Sequence, residues 1–152
     1  AVAEAIARSP VNLTKSRCLI LGYGRCGSVL TRLLKSLLCR VLVSEKDKTR
    51  AADAFVLADG IVSEAELTDA VGNVDFIFNT VPERILSEER LRHVGKNTWI
   101  LDIASAPGGV DYGAAETLSV NAVLLPGLPG RYAPVSSAEI LVDSIESQIG
   151  LR

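Results

Sequence analysis

Short apolar runs alternate along this chain with longer segments of helical period, and this alternation limits the possible folds more than any other feature. The short runs are bounded by Gly, Pro, Asp, Asn or charged residues, which is typical of strands. Repeated strand and helix units favour a parallel sheet covered by helices. We therefore predict an α/β fold with a doubly wound parallel sheet, whose six strands lie at residues 17–21, 40–44, 60–62, 75–78, 99–102 and 122–125.

Two of the predicted helices carry a clear apolar face. In a helix over residues 26–38 we expect an apolar stripe to lie on the sheet, formed by Val29, Leu30, Leu33, Leu34, Leu37 and Leu38. A last helix over residues 136–149 is expected to close the fold as an ordinary amphipathic helix, with one apolar side formed by Ala138, Leu141, Val142, Ile145 and Ile149.

The length of 152 residues is typical of one domain, which we place over residues 1–152. The chain opens without Met on the helix-forming stretch Ala1-Val2-Ala3-Glu4-Ala5-Ile6-Ala7-Arg8. This stretch is typical of the end of a longer connecting helix within residues 1–15. We therefore expect the chain to be a fragment of a longer protein.

Charge and cysteine content disfavour several classes of function. A formal net charge of -2 provides no concentrated basic face for nucleic acid or an anionic membrane. No run approaches the ~18 apolar residues needed to span a bilayer, and no signal region is evident at the N-terminus. Cys18, Cys26 and Cys39 are odd in number and lack metal-ligand spacing. We predict reduced thiols, no metal site and a cytoplasmic protein.

A glycine motif, Gly22-Tyr23-Gly24-Arg25-Cys26-Gly27, joins the first predicted strand to the Leu-rich helix. In this context Gly22 permits a tight turn, Gly24 a close approach of backbone to pyrophosphate, and Gly27 a helix-strand contact. The first amides of a helix lack partners within it and favour an anion. The motif predicts a Rossmann-type dinucleotide-binding domain in which all six residues contact the cofactor; a turn that serves packing alone is the alternative.

Glu45 follows the second predicted strand and lies 18 residues after Gly27, close to the ~20 expected of a ribose-binding acid. A carboxylate there accepts hydrogen bonds from the ribose hydroxyls of NAD and repels the 2′-phosphate of NADP. Lys46 and Lys48 favour that phosphate instead, so NAD and NADP both remain open as the cofactor. A solvated loop of mixed charge is the alternative interpretation.

Two further loops follow strands at the edge of the sheet where ligands of open α/β folds bind. Residues 79–82 follow the fourth predicted strand, and residues 102–111, rich in Gly and small side chains, follow the fifth. Both loops are placed where a nicotinamide ring would lie. The predicted cofactor contacts from these loops are Asn79, Thr80, Val81, Pro82, Asp102 and Ala104.

The glycine turn and three longer motifs together resemble the family of dipicolinate synthase A subunits over nearly the whole chain. These motifs are Asn79-Thr80-Val81-Pro82, Leu101-Asp102-Ile103-Ala104-Ser105-Ala106-Pro107-Gly108-Gly109-Val110-Asp111 and Pro126-Gly127-Leu128-Pro129-Gly130-Arg131-Tyr132-Ala133-Pro134. The NAD-binding domain of D-2-hydroxyacid dehydrogenases is similar in fold.

The resemblance implies an oxidoreductase that converts a dihydrodipicolinate-type intermediate to dipicolinate with NADP during sporulation. It implies that a separate B subunit exists and that the family's polypeptide is about twice this long, so that an N-terminal domain is missing and the chain alone is catalytically incomplete. A homo-oligomer is expected. The family carries a small residue and then Arg where this chain has Glu45 and Lys46, which leaves the preference for NADP undecided.

A dicarboxylate substrate requires positive or N–H-rich groups. Arg131 and Ser105 are the candidates on the substrate side, with the backbone amides of Gly108, Gly109 and Gly130 as neutral donors. As alternatives, Arg131 is a solvated loop residue and Ser105 a turn residue. Asp102 either orients substrate or caps the loop that follows it, and we favour the cap.

Two reactive side chains are not assigned to catalysis. His93 falls near the end of a predicted helix, on the edge of the sheet opposite the cofactor. Cys26 is expected to have a passive packing role beneath phosphate. A non-catalytic dinucleotide sensor and a methyltransferase-like binder of adenosylmethionine remain as rival functions. The polar residues Asn79, Ser105 and Arg131 disfavour the sensor.

Overall fold

Six parallel strands form one sheet in the computed structural model, which describes residues 1–150. The strands are β1 (Arg17–Leu21), β2 (Arg40–Ser44), β3 (Gly60–Ile61), β4 (Phe76–Asn79), β5 (Trp99–Asp102) and β6 (Asn121–Leu124). Their order across the sheet is β3-β2-β1-β4-β5-β6, so the chain reverses direction beside β1. This is the predicted doubly wound sheet, and the reversal lies between β1 and β4, where open α/β folds form a ligand cleft.

Helices connect the strands and cover both faces of the sheet. They are α1 (Val2–Arg8), α2 (Arg25–Ser36), α3 (Lys48–Phe55), α4 (Leu67–Val71), α5 (Glu88–Leu91), α6 (Tyr112–Thr117), α7 (Leu128–Tyr132) and α8 (Pro134–Gln148). Among these helices none is long and apolar enough to cross a bilayer.

The hydrophobic core forms one layer on each face of the sheet. Cys18 and Ile20 of β1 belong to the layer beneath α1, α2 and α3, whereas Leu19 and Leu21 belong to the layer beneath α4, α5 and α6. All four side chains are fully buried. A strand covered on both faces has an uninterrupted apolar sequence, which explains why β1 has no polar alternation.

The predicted strand positions are confirmed to within one residue. β1, β2 and β5 have the predicted bounds, while β3 ends one residue earlier and β4 and β6 are each shifted by one residue. The helix predicted over residues 26–38 begins at Arg25 and ends at Ser36. It ends early because Leu38 adopts a left-handed backbone conformation with φ of 62°, which an α-helix cannot include.

The apolar stripe of α2 is only partly buried. Leu30 and Leu34 pack into the core, but Val29, Leu33 and Leu38 are exposed. The prediction that the whole stripe lies on the sheet is therefore wrong. Its width exceeds the sector of the helix that the sheet can cover.

The prediction for the closing helix is also wrong in its packing. α8 forms over nearly the predicted residues, yet none of its fifteen residues is buried. Its large apolar side chains are between 49% and 69% exposed, at Val135, Ile140, Leu141, Val142 and Ile145. The helix is anchored to the rest of the domain through α7, which directly precedes it.

The N-terminal segment is part of the domain. Ala5 of α1 is fully buried in the core, and Glu4 beside it is almost fully buried. The Glu4 carboxylate accepts hydrogen bonds from Arg8 (2.9 Å), Arg131 (3.1 Å) and the Tyr132 hydroxyl (2.7 Å). These contacts join α1 to α7, at opposite ends of the sequence.

We expect acid to weaken the contact between α1 and α7. The Tyr132 hydroxyl, followed by the two arginines, lowers the pKa of Glu4, although burial opposes this shift. The contribution of Glu4 to stability is therefore complete above its unfolded pKa of about 4.3 and is lost as pH falls through the lower folded pKa. Urea unfolding of the wild type and Glu4→Gln from pH 7 to pH 3 should give a stability difference that shrinks on acidification. A difference that stays constant over this range would contradict the assignment.

The close contact between α2 and the end of β1 supplies a second prediction. A Cβ atom on Gly27 would lie 2.1 Å from the Gly22 carbonyl oxygen, a backbone atom that has little room to move. Gly27→Ala should lower the free energy of unfolding by about 3 kcal/mol, as measured by urea denaturation. Gly24→Ala is the matched control, because a Cβ atom there meets nothing within 4 Å. Equal stabilities of the two variants would show that the contact is not required.

Candidate dinucleotide-binding site

A cleft of about 310 Å³ opens at the carboxyl ends of β1, β2 and β4. It combines backbone from the glycine turn with side chains from the loops that follow β2 and β4. Its lining residues are Gly22, Gly24, Ser44, Glu45, Lys46, Arg50, Thr80, Val81, Pro82, Glu83 and Ile85. The sequence-predicted residues Glu45 and Lys46 are thus brought to the same cleft as residues 80–82.

The three glycines of the turn serve different geometric purposes. Gly22 has φ of +89°, and a side chain there would collide with Thr80 and Val81 at 2.7 Å. Gly27 allows α2 to approach the Gly22 carbonyl. A Cβ on Gly24, by contrast, would project into open space, with no atom within 4 Å. Packing therefore favours glycine at positions 22 and 27, whereas Gly24 leaves room beside the start of α2.

Glu45 is held against the glycine turn. Its carboxylate accepts hydrogen bonds from the backbone N–H of Tyr23 at 2.7 Å and of Asp47 at 2.9 Å. Only 9% of its side chain is exposed. The alternative of a solvated loop is therefore wrong for Glu45. Its neighbour Lys46 is exposed and pairs with Glu83 across the cleft at 3.5 Å.

Arg50 is a cleft residue that the sequence interpretation missed. It lies in the first turn of α3, where its backbone N–H donates to the side chain of the N-cap residue Asp47 at 2.9 Å. Its guanidinium lies 3.8 Å from Glu45 Oε2 and 3.9 Å from Asp47 Oδ1. The sequence does contain one feature that could have indicated Arg50. It is a basic residue in the first turn of the helix that follows Glu45, the predicted ribose-binding acid.

The loop after β4 is fixed from below by Asn79, which is fully buried. Its side-chain amide donates to Asp102 Oδ1 and to the Val81 carbonyl, both at 2.8 Å, and its oxygen accepts from the Val81 N–H at 3.1 Å. Thr80 donates its hydroxyl proton to the Leu21 carbonyl at 2.8 Å. The two side chains thereby hold residues 80–82 next to the glycine turn.

Asp102 is the hub of the second loop and is fully buried. Besides Asn79, its carboxylate accepts hydrogen bonds from the backbone N–H of Ala104 (3.1 Å), the backbone N–H of Gly109 (2.7 Å) and the Tyr112 hydroxyl (2.8 Å). Burial, followed by Asp102 itself, raises the pKa of Tyr112. The cap interpretation of Asp102 is the one that this geometry supports.

The loop glycines serve this network instead of a substrate. A side chain on Gly108, whose φ is +84°, would collide with Asp102 Oδ2 at 2.4 Å. The Gly108 N–H donates to the Ser105 carbonyl at 2.9 Å, and the Gly109 N–H donates to Asp102. The prediction that these two amides are donors for substrate is therefore wrong, because both are already bonded. Ala104 is buried beneath the loop, and Ser105 is exposed on it.

Other predicted residues lie outside the cleft. Arg131 is paired with Glu4 in the contact between α1 and α7, so the structure does not bring it together with the glycine turn. Gly130 lies inside α7. Cys26 is exposed at the start of α2 and lines an apolar groove with Arg25. Tyr23 is buried, and His93 is exposed near the amino end of β5.

The fold, the glycine turn at a topological reversal and the acid held at the end of β2 define a Rossmann-type dinucleotide-binding domain. Residues 4–111 match the NAD binding domain of D-isomer specific 2-hydroxyacid dehydrogenases. This match covers well over half of the chain, and the chain belongs to that family.

Within that family the chain is a homologue of the dipicolinate synthase A subunit. It is 33% identical to that protein from Bacillus subtilis (strain 168) over 91% of this chain and 47% of the relative. The crystal structure of the same protein from Bacillus subtilis matches 98% of the chain and 50% of its own length, with a TM-score of 0.94 and 31% identity. The crystal structure of the Bacillus halodurans protein matches 97% of the chain and 50% of its own length, with a TM-score of 0.93 and 27% identity. The chain thus spans about half the length of these relatives.

The Asp102 network supplies a prediction about stability. Asn at this position has one acceptor oxygen and would turn an N–H₂ group toward donors that Asp102 now satisfies. Asp102→Asn should lower the free energy of unfolding by about 3 kcal/mol in urea denaturation, because buried donors lose their partner. Asp111→Asn is the control, since Asp111 caps α6 at the surface and Asn is an equally good cap. A stable Asp102→Asn variant would contradict the role of Asp102 as loop hub.

Proposed function

We propose that the cleft binds the adenosine and pyrophosphate portions of NAD or NADP, and that the chain is the cofactor-binding domain of an NAD(P)-dependent oxidoreductase. The single observation that carries this proposal is the open space at Gly24. Packing does not explain the absence of a side chain at Gly24, whereas a side chain at Gly22 or Gly27 would collide with neighbouring atoms. Backbone that is left bare beside a helix N-terminus suits close approach by a phosphate group.

The residues around the cleft fit such a cofactor. The first amides of α2 are directed to the pyrophosphate, and the cation Arg25 lies at the start of that helix. The Glu45 carboxylate, fixed by two backbone amides, is oriented to accept hydrogen bonds from a ribose hydroxyl. Each carboxylate oxygen has a second lone pair for this purpose.

Thr80, Val81, Pro82 and the Asp102 network shape the wall on the nicotinamide side. When bound, the cofactor supplies a hydride acceptor, and the protein supplies orientation and exclusion of water. Asn79, Asp102 and Ala104 support this wall from within, as their burial indicates. They act as positioning residues, whereas Thr80, Val81 and Pro82 line the cleft itself.

We further propose that the whole enzyme oxidises a dihydrodipicolinate-type intermediate to dipicolinate during sporulation. The support is the likeness to the A subunit of dipicolinate synthase over 91% of the chain. Ser105, exposed on the loop after β5, remains the substrate-side candidate for a dicarboxylate, while Arg131 is engaged with Glu4. A 2-hydroxyacid dehydrogenase-like reaction is the second candidate, favoured by the family match over residues 4–111.

Partners of this domain are part of the same proposal. We propose that a longer cytoplasmic protein carries an N-terminal domain that completes the substrate cleft, as the relatives are about twice this long. The exposed apolar side of α8 supports this. Because Glu4 joins α1 to α7, chain preceding Ala1 would emerge near the start of α8. The proposals of a homo-oligomer and of a partnership with the dipicolinate synthase B subunit rest on the resemblance alone.

Gly24→Val tests the proposed function. The Cβ atom would enter the space of the pyrophosphate, where it meets no protein atom within 4 Å, so cofactor affinity should fall by about 100-fold. The free energy of unfolding should fall by no more than about 1 kcal/mol, because Val is a poorer N-cap than Gly for α2. Isothermal titration calorimetry with NADH and NADPH measures the affinity. Gly113→Val is a matched control on an exposed turn of α6, where only ordinary contact is expected.

Two outcomes would reject the proposal. Absence of binding of both dinucleotides to the wild type would remove the cofactor. Undiminished affinity in Gly24→Val would show that the dinucleotide, although bound, does not lie on the glycine turn.

A further inference from the structure

We propose that Arg50 is the residue that selects the cofactor, because its guanidinium binds the 2′-phosphate of NADP and overcomes repulsion by Glu45. This inference rests on the proposed function and adds a specificity residue to it. Arg50 lies outside the glycine motif and outside the Glu45-Lys46 pair, where sequence motifs place the choice between NAD and NADP.

The first step is the position of the acid. Glu45 cannot turn away from the cleft without losing its hydrogen bonds to the Tyr23 and Asp47 amides. A ribose held near its carboxylate would therefore present its 2′ substituent to a fixed negative charge. For NAD the substituent is a hydroxyl that donates to this carboxylate, but for NADP it is a doubly charged phosphate. A nearby cation is required if NADP is to bind.

Arg50 is the cation closest to that carboxylate in the cleft. Its guanidinium lies 3.8 Å from Glu45 Oε2, so a group that reaches Glu45 also reaches Arg50. The side chain is 55% exposed. Neither its distance to Glu45 nor its distance of 3.9 Å to Asp47 is a hydrogen bond, so neither carboxylate holds the guanidinium by a hydrogen bond. Arg50 lines the cleft, where a phosphate could pair with it.

The surroundings of Arg50 favour an anion. Arg50 and Gly24 line both the cleft and an adjoining open groove of about 710 Å³. Two more arginines, Arg25 and Arg32, line the groove, with Asp53 as its acidic residue. With Lys46, Glu45 and Glu83 of the cleft included, four basic and three acidic side chains line the two adjoining surfaces. The one net positive charge of this lining favours an anion.

Lys46 is less suited to the same task. Its ammonium group is drawn toward Glu83 on the other wall of the cleft, at 3.5 Å. A lysine also lacks the planar pair of donors with which a guanidinium grips two phosphate oxygens. Arg50 therefore provides the planar, positively charged donor pair that neither Glu45 nor Lys46 has. We expect the chain to bind NADPH more tightly than NADH.

The test measures binding, with each ligand titrated by calorimetry into the wild type, Arg50→Gln and Arg50→Lys. Ligands are NADPH and NADH, together with 2′,5′-ADP and 5′-ADP as fragments that probe the 2′-phosphate without the nicotinamide half. Arg50→Gln should weaken NADPH and 2′,5′-ADP by about tenfold and leave NADH and 5′-ADP within about twofold. Arg50→Lys should retain part of the preference for NADPH over NADH, because the positive charge remains but the paired guanidinium donors are lost.

Arg32→Gln serves as the matched control, since Arg32 lines the adjoining groove but not the cleft. It should change the affinities for NADPH and NADH by similar small factors. Thermal unfolding of all variants should match the wild type, as the Arg50 distances to Glu45 and Asp47 are longer than hydrogen bonds.

The result separates two failures. Binding of both dinucleotides with an unchanged NADPH to NADH ratio in Arg50→Gln would overturn the role of Arg50 and leave the proposed function intact. Equal losses of affinity for NADPH and NADH in Arg50→Gln would also overturn the role of Arg50 in selecting the cofactor. They would indicate that Arg50 binds the pyrophosphate, which both dinucleotides share. Absence of any dinucleotide binding to the wild type would reject the proposed function and this inference with it.

Discussion

The contact between Gly27 and the Gly22 carbonyl is the constraint on which the rest of this structure depends. It places the backbone of α2 directly on the turn that ends β1, so closely that a Cβ atom at position 27 would collide with the Gly22 carbonyl oxygen. With the helix fixed so closely, its first amides lie at the carboxyl edge of the sheet beside the reversal of strand order. The open space at Gly24 and the position of the Tyr23 amide, which Glu45 then holds, both follow from this contact.

Asn79 and Asp102, at the ends of β4 and β5, stabilise the loops at the carboxyl edge of the sheet. They do not line the cleft themselves. Asn79 and Asp102 look like cofactor or substrate ligands in the sequence, since both end strands at the ligand edge. In the folded chain both are fully buried and bonded to each other and to the backbone of their loops. Burial of a carboxylate is tolerated because four donors compensate for the lost water. This network positions Thr80, Val81 and Pro82 at the cleft.

Electrostatics of the cleft depend on side chains from different elements. Glu45 comes from the end of β2, Arg50 from α3, and Lys46 and Glu83 face each other from two loops. None of these pairs is adjacent in a motif, and their separations are set by how α3 and the loop after β4 pack around the sheet. The same holds for Arg131, whose position among glycines and prolines suggests a ligand contact, but which pairs with Glu4 at the other end of the chain.

The sequence by itself determined the strand positions to within a residue, the parallel doubly wound sheet and the glycine turn. These features depend on local periodicity and on backbone freedom, which a stretch of sequence contains in full. Tertiary structure alone decided which side chains are buried or bonded within the protein and which face the cleft or solvent. It turned Asp102 and Gly109 inward, paired Arg131 with Glu4, left Val29 and the apolar side of α8 exposed, and brought Arg50 to Glu45. Burial and side-chain contacts depend on how the elements pack, even for residues as near in sequence as Glu45 and Arg50, so local periodicity could not supply them.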